Sequence, residues 1–325
     1  MQNPAPAETL LTIDAARYLG INPLRHVKPE WRIAVVERAF RPHPENPQAD
    51  WLPTVIVPAL ELIVAARGPV KSFASIGVGT GMDILTGIAL LGASVVGATD
   101  VFSDITVAAE WNIRQNIEGE RPVDVHVGCG DLLTPLQGRG LSFDVIYENL
   151  PNIPLSDARL LQEKNRSSSF VPPRPEKVPQ FARDNMLSLH DVALKQAREF
   201  LNADGFVISS IGGRVPLEYL ARLATESGLI PGFLNYSWKL QTEGEEVLPF
   251  YAELESRGSG PFYYYPVDAL EKIFHGVTPK DSGLRAFEIE SALLPYRITA
   301  AEAWRGYQEG QRIGHTVAVL KSARR

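Results

Sequence analysis

The sequence predicts an α/β fold with a largely parallel sheet, and three observations predict it. From Lys71 onward, short apolar and β-branched runs alternate with amphipathic stretches at the spacing of strand, crossover helix and strand. Several of these runs end in glycine, aspartate or asparagine, at the edge where parallel sheets hold their ligands. The chain is also long enough for a real core and one elaborated domain, with 325 residues of which 45% are hydrophobic and 22% charged.

Residues 1–70 read as amphipathic pieces broken by Pro23, Pro29, Pro42, Pro44, Pro47 and Pro53, an N-terminal helical cap outside the core sheet. The main domain is expected over 71–325. Ser72-Phe73-Ala74-Ser75-Ile76 is a short buried strand that ends in Gly77-Val78-Gly79-Thr80-Gly81, with a helix over 82–91 behind it. A second strand over 94–99 ends at Asp100 and precedes a helix over 105–116, where Ile105, Ala108, Ala109 and Ile113 share one face. The third strand, 123–127, runs into Gly128-Cys129-Gly130-Asp131. The fourth, 143–147, runs into Glu148-Asn149-Leu150-Pro151-Asn152. The polar, proline-bearing stretch 155–180 reads as a lid loop; a helix over 184–201, a strand over 206–210, a helix over 217–227 and a strand over 233–240 follow it. The last strand is 315–320. Residues 242–314 form an insertion before it, expected to hold two helices and the aromatic run Phe262-Tyr263-Tyr264-Tyr265. Four consecutive aromatics cannot all face one side of a strand, so part of the run is expected to be exposed or packed elsewhere. The rest, with Tyr236 and Trp238, is expected to wall a pocket.

A single cysteine excludes an internal disulfide framework and fits a reducing compartment. The first ten residues lack the basic start and apolar run of a signal peptide, and no stretch reaches the roughly 20 apolar residues of a membrane span. The expectation is a cytoplasmic protein with no membrane partner. A net charge of −6 and a pI near 5.6 provide no global attraction for a phosphate backbone, so nucleic acid is disfavoured as a partner. No His, Cys and carboxylate spacing suits a metal.

The glycine loop is the first chemical feature. Gly77, Gly79 and Gly81 supply positions without side chains where a ligand meets backbone, and the following helix start presents free amides. Asp100, at the end of the next strand, is placed to accept hydrogen bonds from ribose hydroxyls. A dinucleotide fingerprint would want glycine at position 82, where Met82 stands. Asp131 ends the third strand, where a carboxylate can accept from an exocyclic amine. Glu148 and Tyr147 adjoin the fourth-strand motif and could orient a substrate or take a proton. His126 and His190 fall inside the core pattern, and Cys129 reads as a small packing residue.

These segments together resemble the class I S-adenosylmethionine-dependent methyltransferases over roughly residues 72–211, and again at the last strand. The matching residues are Ser75 to Gly81, Ala98-Thr99-Asp100-Val101, Gly130-Asp131-Leu132, and Phe143 to Ile153. The resemblance implies a Rossmann-like seven-stranded sheet, mostly parallel with an antiparallel last strand, and S-adenosyl-L-methionine as cofactor. It assigns the methionine end of the cofactor to the glycine loop, the ribose to Asp100 beside Val101, and the adenine to Asp131 beside Leu132. The fourth motif is similar to the Asn-Pro-Pro-Tyr signature of methyltransferases acting on planar nitrogen and to the Asn-Leu-Pro-Tyr form of adenine dimethylases. Asn149 and Pro151 match, Leu150 fits the second form, and Asn152 replaces the aromatic that stacks on a planar target.

An amide or amino nitrogen has a delocalised lone pair, so it must be held with its hydrogens engaged. The Asn149 side-chain oxygen and the Leu150 carbonyl could accept those hydrogens while Pro151 fixes the turn. Positioning alone can contribute roughly 7–11 kcal/mol in well-oriented systems. The expected function is methyl transfer to a nitrogen of a small molecule first, or of a protein side chain second. The alternatives are O- or C-methylation in specialised metabolism and a non-catalytic nucleoside-binding subunit on the same fold. Acidity and Asn152 argue against RNA, and a homodimer is left open.

Overall fold

A computed structural model describes residues 9–154, 170–171 and 174–325 of the chain. The chain opens with a strand β1 (Thr9–Asp14), a single-turn helix α1 (Ala15–Leu19) and a strand β2 (Glu30–Val35), with β1 and β2 paired antiparallel. This corrects the helical-cap expectation for 1–70: within residues 9–70 only α1, short turns at Pro47–Ala49 and Leu52–Ile56, and α2 (Val57–Arg67) are helical. The reason is tertiary. The free edge of β2 is satisfied by two asparagines of α4 (Ser103–Asn116), one turn apart. Asn112 Oδ1 accepts from the Ala34 amide at 2.7 Å and its Nδ2 donates to the Ala34 carbonyl at 2.9 Å; Asn116 treats Arg32 in the same way at 2.8 and 2.9 Å.

The central sheet follows. Its strands are β3 (Ser72–Ile76), β4 (Val95–Asp100), β5 (Asp124–Cys129), β6 (Phe143–Glu148), β9 (Leu201–Gly213), β10 (Ile230–Leu240) and β12 (Ile313–Ala323). Between β6 and β9 the two-residue strands β7 (Ile153–Pro154) and β8 (Phe170–Val171) pair with each other outside the sheet. The spatial order is β10-β12-β9-β6-β3-β4-β5. Five neighbouring strands from β9 to β5 are parallel, and β12 runs antiparallel to both β9 and β10, as expected. A further short strand, β11 (Tyr265–Pro266), pairs with β12 beyond the end of β9.

The helices cover both faces. α2, α3 (Met82–Leu91) and α4 pack on one side; α5 (Gln180–Asp184), α6 (Ser188–Ala197) and α7 (Leu217–Glu226) pack on the other. Strand residues alternate between two cores: Phe73, Val145, Ile208 and Val319 join the first, and Ala74, Ile146, Val207 and Leu320 the second. That is why β3 is apolar-looking throughout and buried along its whole length. In α7, Leu217, Leu220, Leu223 and Ala224 recur at helical spacing and fill the second core.

The 242–314 insertion holds five helices rather than two: α8 (Gly244–Ser256), α9 (Val267–Phe274), α10 (Pro279–Leu284), α11 (Ala286–Leu293) and α12 (Ala300–Gln308), the last opened by a Thr299–Glu302 capping box. Phe262 to Tyr265 are all buried, so of the two expectations for the run, exposure or packing elsewhere, it is packing that holds. Only Tyr265 lies in a strand of the sheet, so the rings turn to different neighbours; Phe262 and Tyr264 both meet Tyr251 of α8 edge-on. Most of the lid-loop expectation over 155–180 lies outside the described residues; within it, 174–179 is neither helix nor strand and 180 begins α5. Among the described residues, no helix is long and apolar enough to cross a membrane.

Candidate functional site

Strand order reverses at β3. The chain proceeds outward through β4 and β5, then returns to the other side through β6 and β9. Beyond the carboxyl ends of these strands lies a cavity of about 480 Å³, in the size range of small-molecule pockets.

The glycine loop forms one wall. The Gly77 and Val78 amides both donate to the Thr99 carbonyl at 2.9 Å, which folds the loop back over β4. Gly77 and Gly79 have φ of +70° and +52°, in the left-handed region. A Cβ on Gly77 would press on Leu150 at 3.3 Å, whereas one on Gly79 meets nothing within 4 Å and would stand in the cavity. This is a cradle that side chains would fill. Gly81 is different: it lies outside the cavity lining and caps α3 beneath α4, where a Cβ would lie 3.2 Å from the Ala109 carbonyl. Its sequence assignment to the ligand is therefore corrected to helix packing.

Asp100 Oδ2 accepts from the Gly79 amide at 3.3 Å and Oδ1 from the Phe102 amide at 3.2 Å. Burial raises its pKa, against the lowering effect of those amides. Val101, Asp131 and Leu132 line the same side. Asp131 is engaged by Arg174, whose two terminal nitrogens donate to its two oxygens at 2.7 and 2.9 Å. Asp131 raises the Arg174 pKa in turn. A carboxylate has further lone pairs, so this fork does not exhaust Asp131 as an acceptor.

β6 delivers the fourth motif. Tyr147, Asn149, Leu150, Pro151 and Asn152 all line the cavity, with Asn149 exposed. Burial pushes the Tyr147 hydroxyl well up, and the neighbouring Asp83 charge adds to this. Glu148 is corrected: it is fully buried and outside the lining, because alternation along β6 turns it toward α6. There the His190 Nδ1 donates to its carboxylate, 2.9 Å from each oxygen, and His190 itself reaches the cavity. Glu148 is thus a positioning residue for His190. His126 instead pairs with Asp124 at 2.8 Å on the edge strand, away from the cavity. Cys129 is exposed, not packed as expected.

Asp83, unremarked in the sequence, is partly buried in the first turn of α3 and lines the cavity. Ser75 Oγ donates to its carboxylate and the Ile84 amide donates at 2.9 Å, yet burial pushes its pKa up to about 7. Sequence reasoning also missed the far wall. Tyr18, Asp50 and Trp51 come from the N-terminal segment, Arg214 follows β9, and Tyr251 comes from α8. Tyr236, Trp238 and the Phe262–Tyr265 run, expected to wall the pocket, do not line it. Burial raises the Tyr251 pKa, opposed by the Arg214 charge and by Asn152. The structure therefore brings an aromatic beside Asn152 from far away in the sequence. Among the described residues, no three His, Cys, Asp or Glu side chains are grouped to hold a metal.

No family model matches the chain and no curated protein matches it. Solved structures do. A ribosomal protein L11 methylase from Lactobacillus delbrueckii subsp. bulgaricus is 19% identical, covering 58% of this chain and 72% of its own, at a TM-score of 0.34. A precorrin-6y C5,15-methyltransferase from Geobacter metallireducens is 12% identical, covering 59% and 80%, at 0.34. The YcgJ protein from Bacillus subtilis is 13% identical, covering 82% and 98%, at 0.41. Likeness at this level leaves the function to be argued from the site's own residues.

Proposed function

We propose that the chain is an S-adenosylmethionine-dependent methyltransferase that passes a methyl group to a nitrogen of a small molecule. The observation that carries this is convergence: the open glycine cradle at Gly77 and Gly79, the Asp100 carboxylate and the Asn149-Leu150-Pro151 turn all border one cavity. The residues suit the cofactor. Gly77 and Gly79 leave room for its methionine end, Asp100 is available to its ribose, and Val101 and Leu132 flank the adenine side, with Asp131 beside them. The bound cofactor would supply an electrophilic methyl on sulfonium.

The chain's own part is positioning. The Asn149 oxygen and the Leu150 carbonyl accept the acceptor's N–H groups, and Pro151 holds the turn between them. Walls from the N-terminal segment and from α8 flank the cavity, which favours a small acceptor over a long polymer. Replacing Asn149 with Ala should lower turnover by about 100-fold or more while leaving adenosylhomocysteine binding nearly unchanged. Unchanged turnover would remove its role.

One observation favours a second reading, transfer to oxygen. A hydroxyl acceptor needs a base, and the cavity holds His190, with Nδ1 fixed by Glu148, as well as His315, whose Nδ1 donates to the Thr316 carbonyl at 2.8 Å. Fragmentation of the methylated product separates the readings by the atom that carries the new methyl.

A further inference from the structure

The far end of the cavity carries a row of basic groups that methyl transfer to a neutral nitrogen does not need. Lys239 on β10 and His315 on β12 are register partners, and Arg214 follows Gly213, the register partner of Thr316, on β9. Three adjacent strands thus deliver three basic side chains side by side into one cavity. Each is held by neutral acceptors. Lys239 Nζ donates to the carbonyls of Ala49 and Asp50 at 3.0 and 3.2 Å and to Thr54 Oγ1 at 3.0 Å. Arg214 donates to Gln241 Oε1 at 2.8 Å, and its buried Nε has no hydrogen-bond partner among the described residues.

The Asp50 charge favours the Lys239 ammonium, but its carboxylate oxygens are bonded elsewhere. The Asp50 carboxylate takes the Tyr18 hydroxyl at 2.7 Å and the His43 amide and ring at 2.7 and 2.8 Å. An unpaired buried guanidinium donor is costly unless a ligand completes it. In keeping with that, burial pulls Lys239 down to about 8, and burial together with the Arg214 and Lys239 charges holds His315 well below its ordinary value.

We propose that Arg214 and Lys239, on either side of His315, form an oxyanion subsite that holds a carboxylate or phosphate group of the acceptor, so that the substrate is an acidic small molecule. The inference rests on this cavity being the methyl-acceptor site.

The test uses the full chain and reads melting temperature with adenosylhomocysteine, sodium phosphate, sodium succinate, or sodium chloride at equal ionic strength. Phosphate or succinate should raise it by about 2 °C or more over chloride. Arg214→Gln and Lys239→Gln should both lose that rise, and Arg214→Gln should keep the adenosylhomocysteine shift. A rise with one salt alone identifies the group as phosphate or carboxylate. No rise with either, or an equal rise in both variants, overturns the subsite. Absence of the adenosylhomocysteine shift in the wild type defeats the methyl-transfer reading separately, and the salt arms still decide whether the anion site exists. A readout that needs no variant comes from labelled product made in a metabolite extract, which should be retained on an anion exchanger at pH 8. Product that passes through overturns the proposal.

Discussion

Replacing Asp83 with Asn should remove a pH dependence of stability that runs in the unusual direction for a carboxylate. The Asp83 carboxyl is partly buried, and its desolvation outweighs its bonds from Ser75 and Ile84, so its pKa rises from 3.8 to about 7. Between those values the folded chain keeps a proton that the unfolded chain has released. Stability from this group is therefore complete below pH 3.8, declines as pH rises toward 7, and is flat above it. At about 1.4 kcal/mol per pH unit, the two units between pH 5 and pH 7 are worth about 3 kcal/mol. Asn keeps the shape and does not titrate. His315, held neutral, costs stability as pH falls through its unfolded value near 6.5, but it does so in both proteins and cancels in the comparison. Urea unfolding of both proteins at pH 5 and pH 8 measures the difference. The wild type should lose about 3 kcal/mol relative to Asp83→Asn on going to pH 8. Parallel behaviour of the two proteins would refute the burial argument.

Two other substitutions probe the site and its wall. Gly79→Val places a β-branched side chain at φ +52° and into open cavity; adenosylhomocysteine binding by calorimetry should weaken at least about tenfold, with a strain cost of about 1–3 kcal/mol in stability. Asn112→Ala strips both partners from Ala34 and one from the Thr80 carbonyl, so the chain should lose about 2–4 kcal/mol in chemical denaturation, with limited proteolysis cutting first within residues 9–50.

The parallel part of the sheet was legible because its signals are local. Ser72 to Ile76 is buried on both faces and reads as a continuous apolar run, and the helix over 82–91 lies between Gly81 and Gly92, both with positive φ. What escaped the sequence depends on partners far along the chain. The β1–β2 hairpin is stabilised by Asn112 and Asn116, more than 70 residues later, so its own proline-broken pattern looked helical. Glu148 and His190 were each visible, but their pairing behind the site was not. The row of Arg214, Lys239 and His315 comes from three separate strands, and only their registers bring it together.

The asparagine ladder also links the wall to the chemistry. Asn112 Nδ2 donates to the Thr80 carbonyl at 2.9 Å as well as to Ala34, so one side chain fastens β2 and the glycine loop to the same helix. At the opposite end, Lys239 fastens residues 48–50 to β10 through their carbonyls. The N-terminal wall is thus tied on one side to the loop assigned to the cofactor and on the other to the row assigned to the acceptor's anion. A ligand at either end meets a wall whose position the other end helps to set. An oxyanion that draws Lys239 away from the carbonyls of 48–50 would loosen the wall, and one that adds to those bonds would tighten it. The two cases differ in sign: adenosylhomocysteine should bind more weakly in the presence of the anion in the first and more tightly in the second, and by linkage the anion's affinity changes by the same factor.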